Sequence, residues 1–136
     1  MKNLNGKVIA LTGAGSGIGR CLAIQLSQHG SHLSLSDVDA AGLKETKELL
    51  SQDIVVSTHI VDVADREQVY AWAENTVKDH GHVDCIINNA GVTSIASIEE
   101  IRYEDFNWVF NVVFYGVLYG TKAFLPHLIQ RPDAHI

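Results

Sequence analysis

The sequence predicts a doubly wound α/β domain, a parallel sheet with helices on both faces. Two observations carry that reading. Short apolar runs alternate with amphipathic stretches in the order β-α-β-α-β-α-β-α, and the first apolar run ends in a cluster of glycines. No internal repeat or Pro/Ser-rich linker divides the 136 residues, so one domain over residues 1–136 is expected. Apolar residues make up 46% and charged residues 19%, which excludes disordered, collagen-like and coiled-coil classes. A chain of this length can bury a core without disulfide or metal staples.

The elements follow in order. Val8-Ile9-Ala10-Leu11 is a continuous apolar run, the pattern of a strand buried on both faces. Residues 18–28 form a helix with Ile18, Leu22 and Leu26 on one face and Gly30 as its stop. A second strand spans 32–36. A second helix spans 39–51, with Leu43, Thr46, Leu49 and Leu50 inward. A third strand spans 54–61. Asp65 caps a third helix reaching about His80, with Val69, Trp72, Ala73, Thr76 and Val77 at helical spacing and Gly81 behind it. A fourth strand spans 83–88, and a long helix runs over about 103–130. Right-handed crossovers give the strand order 3-2-1-4. Ligands of such sheets bind at the carboxyl ends of the strands, where the order reverses. The loops at Thr12, Asp37, Asp62 and Asn88 are therefore the candidates.

Ten basic and 16 acidic side chains give a net charge of −6. That disfavours nucleic acid or an anionic membrane as the main partner. Cys21 and Cys85 stand far apart in apolar surroundings, with no Cys-x-x-Cys spacing, and read as small core residues of a reduced, cytoplasmic protein. The polar start at Met1-Lys2 runs into an apolar stretch too short for a signal peptide. No apolar run reaches membrane-spanning length; the longest, 108–118, is broken by Asn111 and Gly116. His29 with His32, and His80 with His82, flank glycines and read as solvated turn residues, so no metal site is expected.

The first loop reads Thr12-Gly13-Ala14-Gly15-Ser16-Gly17-Ile18-Gly19. Gly13 permits the tight turn, Gly17 lets backbone approach a pyrophosphate, and Gly19 lets the helix pack on the strand. The phosphates then meet the free N–H groups of a helix N-terminus. A glycine cluster alone also suits a plain strand-to-helix turn. Here it lies inside a βαβ unit, which favours a Rossmann-type dinucleotide site. Asp37 ends the second strand, where a carboxylate accepts from both ribose hydroxyls and repels a 2′-phosphate. Val38 follows it and Arg20 is the nearest basic residue, so NAD is expected over NADP. The alternative for Asp37 is a turn or capping residue with Asp39. Asp62-Val63 could cradle an adenine through one carboxylate and one N–H, although aspartate in a turn is also structural.

Together these residues resemble the short-chain dehydrogenase/reductase family. The Thr-Gly-x-x-x-Gly-x-Gly spacing is similar to that family's dinucleotide loop, and Asp62-Val63 resembles its adenine-contacting pair. Asn88-Asn89-Ala90-Gly91 matches its Asn-Asn-Ala-Gly signature, and the segment from Phe106 through Gly116, Thr121 and Leu125-Pro126 is similar to its long fourth helix. The resemblance implies that Gly13, Ala14, Gly15, Ser16, Gly17, Ile18, Gly19, Asp37, Asp62, Val63, Asn89, Ala90 and Gly91 bind NAD. It implies hydride transfer between nicotinamide and a small alcohol or carbonyl substrate. It also implies a homodimer or homotetramer formed through the long helix near 103–130, which is apolar nearly all round.

The family's Tyr-x-x-x-Lys pair and catalytic serine have no counterpart in these residues; Tyr119 and Lys122 are only three apart. The expectation is a sheet truncated before its fifth strand, at Ala134-His135-Ile136, with an open edge on the fourth strand and no catalytic residue in the chain. The competing reading is a dinucleotide-binding sensor or scaffold without catalysis. Val113 stands where the family places an asparagine in the fourth helix, and Asn111 lies about 200° away around a helix. The family's asparagine interrupts the helix and frees a carbonyl for a proton-relay water. Val113 would keep the carbonyl but lack the side chain that maintains the break.

Overall fold

The structure, a computed structural model, describes residues 3–136; Met1 and Lys2 lie outside the described residues. The elements are β1 (Val8–Thr12), α1 (Gly17–Gln28), β2 (His32–Asp37), α2 (Ala40–Glu48), β3 (Val56–Ile60), α3 (Arg66–His80), β4 (Cys85–Ile87) and α4 (Tyr103–Phe110). A π-helical turn, Asn111–Tyr115, then leads into α5 (Gly116–Leu128). All strands are parallel and the sheet order is β3-β2-β1-β4, as the alternation of elements predicts.

Every residue of β1 is buried, because helices cover both faces of this central strand. On one face Ile9, Leu11, Leu33 and Leu35 pack with Ala23 of α1 and Leu43 of α2. On the other, Val8, Ala10 and Ile86 pack with Trp72 of α3 and Phe124 of α5. Trp72 and Phe124 meet edge to face, their centroids 4.8 Å apart. The Trp72 Nε1–H donates to Ser34 Oγ at 2.9 Å, and Ser34 and Thr76 share a hydroxyl hydrogen bond at 2.7 Å. The polar atoms of this core are thereby paired.

Several boundaries and faces differ from the sequence reading. The inward face of α1 is Gly19, Ala23 and Leu26, while Ile18 is 73% exposed. Gly19 lies against the Gly13 carbonyl just past β1, and this close approach, not apolar spacing, goes with the rotation of that helix. Cys21 is accordingly exposed rather than core, whereas Cys85 is half-buried and burial pushes its thiol up. α2 stops at Glu48, because the Leu49 and Leu50 N–H groups bond back three residues, to Thr46 and Lys47; Leu49 turns outward. β4 is shorter than 83–88, since past Ile87 the chain turns toward β1. Of the four glycine-flanking histidines only His29 is exposed. His32 Nδ1 accepts the Val55 N–H, His80 Nε2 meets Ser57 Oγ, and His82 pairs with Asp84.

The last helical run ends at Leu128 and contains the π-turn, with valine at 113. The Gly116 N–H bonds the Asn111 carbonyl, five residues back. Gly116 sits on Val63, where a Cβ would lie 2.9 Å from Val63 Cγ2. The interruption thus accompanies a tertiary contact and does not need an asparagine at 113. By length and composition the run Tyr103–Leu128 could cross a membrane, which single apolar runs did not suggest. Its Gly116, Gly120, Ala123, Phe124 and Leu128 are buried, and α5 packs on α3 and β4. The outer edge of β4 carries one parallel bridge: the His135 N–H donates to the Asp84 carbonyl, and the His135 carbonyl accepts the Ile86 N–H.

Asp84 is 1% exposed at the amino end of the sheet. Its Oδ2 accepts the Val8 N–H at 3.0 Å and its Oδ1 accepts the Arg131 Nε–H at 2.9 Å, with His82 Nε2 at 3.2 Å. Burial pushes this carboxyl up, but the Val8 N–H, Arg131 and His82 outweigh it and hold it below its ordinary value. A depressed folded-state value stabilises the fold above the unfolded value and loses that contribution as pH falls through the folded one. Asp84→Asn should cost about 2–3 kcal/mol at neutral pH. In urea titrations followed by circular dichroism, that difference should shrink below about pH 4.

Candidate functional site

The loops after all four strands meet at the carboxyl edge of the sheet, around a cavity of about 580 Å³. Gly13, Ser16, Gly17, Ile18 and Gly19 form one wall; Asp37, Val38, Val61, Asp62 and Val63 form the second. Asn89, Ala90, Gly91 and Val92 form the third, and Trp108 and Val112 close it from the helical run. Spacing singled out most of these residues, but not Val38, Val61, Val92, Trp108 or Val112. Two expected members are placed elsewhere. Ala14 is fully buried in the core, and Gly15 stands behind the wall with its N–H turned to Asp37.

The loop needs its glycines for specific contacts. Gly13 has φ +67°, and a Cβ on it would lie 2.9 Å from Ala90 Cα. A Cβ on Gly19 would collide with the Gly13 carbonyl. Gly17, at φ +50°, has open space where a Cβ would be. It begins α1, whose N-cap Ser16 is extended and makes no side-chain capping bond. With no acidic residue in its first turn, this helix end presents backbone N–H groups to an anion.

Thr12, passed over as a functional residue, joins the first and third walls. Its Oγ1 accepts the N–H groups of Asn89 and Ala90, each at 2.9 Å. Asn89 Nδ2 donates in return to the Thr12 carbonyl at 2.9 Å and the Gly13 carbonyl at 3.3 Å. The available signal was a hydroxyl at a strand end directly before the glycine loop.

Asp37 combines both sequence readings. Its Oδ1 accepts the Asp39 N–H at 3.0 Å, a turn contact, and its Oδ2 accepts the Gly15 N–H at 2.8 Å. Each oxygen keeps a further lone pair for a ligand hydroxyl. Asp62 forms a similar turn, with Oδ1 accepting the Ala64 N–H at 2.9 Å, and its own N–H held by Gln68 Oε1. Arg20, the nearest cation by sequence, turns away from the cavity. Its Nη2 donates to the Gly15 carbonyl and pairs with Glu45 Oε2 at 2.9 Å, and its Nε donates to Thr46 Oγ1 at 3.0 Å. Among the described residues, no lysine or arginine lines the cavity. Val113 is half-exposed beside Gly91, near the third wall. The cavity therefore offers a helix end for phosphate, an aimed carboxylate for a vicinal diol, and apolar walls for flat rings.

Comparison with known proteins fits this geometry. The family profile described as short chain dehydrogenase matches residues 7–136. A Mycobacterium tuberculosis protein named as an oxidoreductase, SadH, is 44% identical over all of this chain and half of its own length. A short chain dehydrogenase/reductase from Burkholderia phymatum, solved in complex with NAD, superposes with a TM-score of 0.93 at 35% identity. That match covers 99% of this chain and 48% of the other. An alcohol dehydrogenase from the archaeon Thermococcus sibiricus, complexed with 5-hydroxy-NADP, superposes with a TM-score of 0.90 at 30% identity, covering 96% and 57%. The chain thus spans about half the length of the curated relatives it matches best among these. A profile match over nearly every residue, on the same fold and the same glycine loop, places this chain in the short chain dehydrogenase family.

Proposed function

We propose that the cavity binds NAD in preference to NADP, and that the protein serves hydride transfer between nicotinamide and a small alcohol or carbonyl substrate. The observation that carries the cofactor reading is Asp37. Its carboxylate is held at the end of β2 beside a cavity wall without a cation, while Arg20 is engaged by α2. The backbone N–H groups of Gly17, Ile18 and Gly19 take the pyrophosphate. Asp37 accepts the two ribose hydroxyls and excludes a 2′-phosphate by charge. Asp62 and the Val63 N–H take the adenine edge, and Asn89, Ala90 and Gly91 run along the second ribose. Bound NAD supplies the hydride acceptor. Trp108 and Val112 help keep water from that end of the cavity.

Homo-oligomerisation through α4 and α5 is part of the same proposal. Phe106, Phe110 and Phe114 stack in a solvent-exposed ladder, with centroids 6.1 and 4.9 Å apart. An exposed aromatic row of this kind suits burial against a second copy. A cytoplasmic setting is supported by the two free cysteines. The net charge of −6 supports a small-molecule partner rather than nucleic acid.

Calorimetry should show NAD binding, with Asp37→Ala weakening it about ten- to a hundredfold, as expected for losing hydrogen bonds to a charged group. NADP should bind more weakly than NAD to the wild type; equal affinities would overturn the Asp37 reading. Turnover of secondary alcohols with NAD tests the hydride-transfer half separately: binding without turnover would leave a sensor or scaffold. Val113→Asn should alter NAD affinity by about twofold or less, since the helix interruption exists without it. Phe110→Glu should lower the molar mass seen by light scattering to that of one chain.

A further inference from the structure

We infer that Thr46 and Arg20 are positioning residues for the adenosine half of the cavity, acting through the peptide that aims Asp37. The inference rests on the NAD reading above and extends it to two residues that do not line the cavity.

The Ala14 carbonyl and the Gly15 N–H belong to one planar peptide group and point in opposite directions. On one side, the Thr46 hydroxyl donates to the Ala14 carbonyl at 2.8 Å. On the other, the Gly15 N–H donates to Asp37 Oδ2 at 2.8 Å. Rotating this peptide breaks both bonds together, so the hydroxyl on α2 fixes the direction of the donor that meets the carboxylate. Thr46 is fully buried. A hydroxyl has one proton. Arg20 Nε donates into Thr46 Oγ1 at 3.0 Å, which leaves that proton committed to the Ala14 carbonyl.

The next peptide is pinned from the same side. Arg20 Nη2 donates to the Gly15 carbonyl at 2.5 Å, and Glu45 Oε2 holds the guanidinium at 2.9 Å. Gly42 makes the approach possible, because a Cβ there would lie 2.6 Å from the Gly15 carbonyl oxygen. Of the two peptides flanking Gly15, one is held by Thr46 of α2 and the other by Arg20 of α1, itself paired to Glu45 of α2, and together with the Asp39 N–H on Oδ1 they set the orientation of the Asp37 carboxylate. A charged donor at the head of such a chain also polarises the bonds that follow.

The test compares NAD with NAD lacking the adenosine 2′-hydroxyl, titrated into the protein by calorimetry. The wild type should prefer NAD by about tenfold, one hydrogen bond to a charged acceptor. Thr46→Val removes the hydroxyl and keeps the shape. It should weaken NAD by about tenfold and the deoxy analogue little, so that the preference falls to about twofold or less. Thr46→Ser should retain the wild-type preference. Arg20→Gln, at a partly exposed position, should reduce the preference as well, and it decides the matter if Thr46→Val does not fold. Parallel weakening of both ligands, or an unchanged preference in the folded variants, would overturn the inference while leaving the NAD reading intact. Absence of NAD binding by the wild type would overturn both.

Discussion

The Thr12 hydroxyl is the joint on which the carboxyl edge of this sheet depends. β1 has β2 on one side and β4 on the other, so the chain leaves toward opposite flanks and opens a crevice between the loops. Such a crevice exposes backbone groups that need partners if its walls are to keep their spacing. One hydroxyl oxygen satisfies two N–H groups of the β4 loop, and the Asn89 amide returns bonds to two carbonyls of the β1 loop. Leaving a buried donor unpaired costs about 1–3 kcal/mol, so removing this oxygen would affect both walls together. The absence of side chains at Gly13 and Gly19 is the other half of the same joint, because the two loops meet at backbone distance.

The sheet treats its two ends differently. At the carboxyl end the polar groups face an open cavity and keep unused acceptor capacity. At the amino end they are closed on one another around Asp84, which ties the start of β1 to β4 and to the turn after α5. Between them the core is largely apolar, and its buried hydroxyls are paired, Ser34 with Thr76 and Trp72, and Ser27, Ser36 and Thr46 with backbone carbonyls. A burial of charge at the end away from the cavity gives the strands a fixed base, and the polar groups with spare acceptor capacity are left at the other.

Much of this was legible in the sequence for simple reasons. A strand covered on both faces has to be a continuous apolar run, and β1 is one. Alternating elements fix a parallel sheet, and the handedness of crossovers leaves few strand orders. The glycine loop could be read because only backbone contact explains its spacing. What escaped was set by contacts distant in sequence. Ile18 shares a period with Leu22 and Leu26, yet the helix turns Gly19 toward the Gly13 carbonyl and leaves Ile18 in solvent. Valine at 113 gave no sign of a π-turn, because the turn goes with the seat of Gly116 on Val63. Arg20 looked available to a phosphate until Glu45 and Thr46, far along the chain, were seen to hold it. Ala14 and Gly15 belong to the glycine motif but serve its back, a distinction that spacing does not encode.

The placement of the two tryptophans divides the protein's intrinsic fluorescence between its two regions. Trp72 is 1% exposed and locked by Ser34 and Phe124, while Trp108 is 48% exposed on the cavity wall. A buried indole emits to the blue of a wetted one, so a single spectrum separates the interior from the crevice. Changes confined to the red component then report events at the mouth of the crevice, and loss of the blue component reports melting of the sheet.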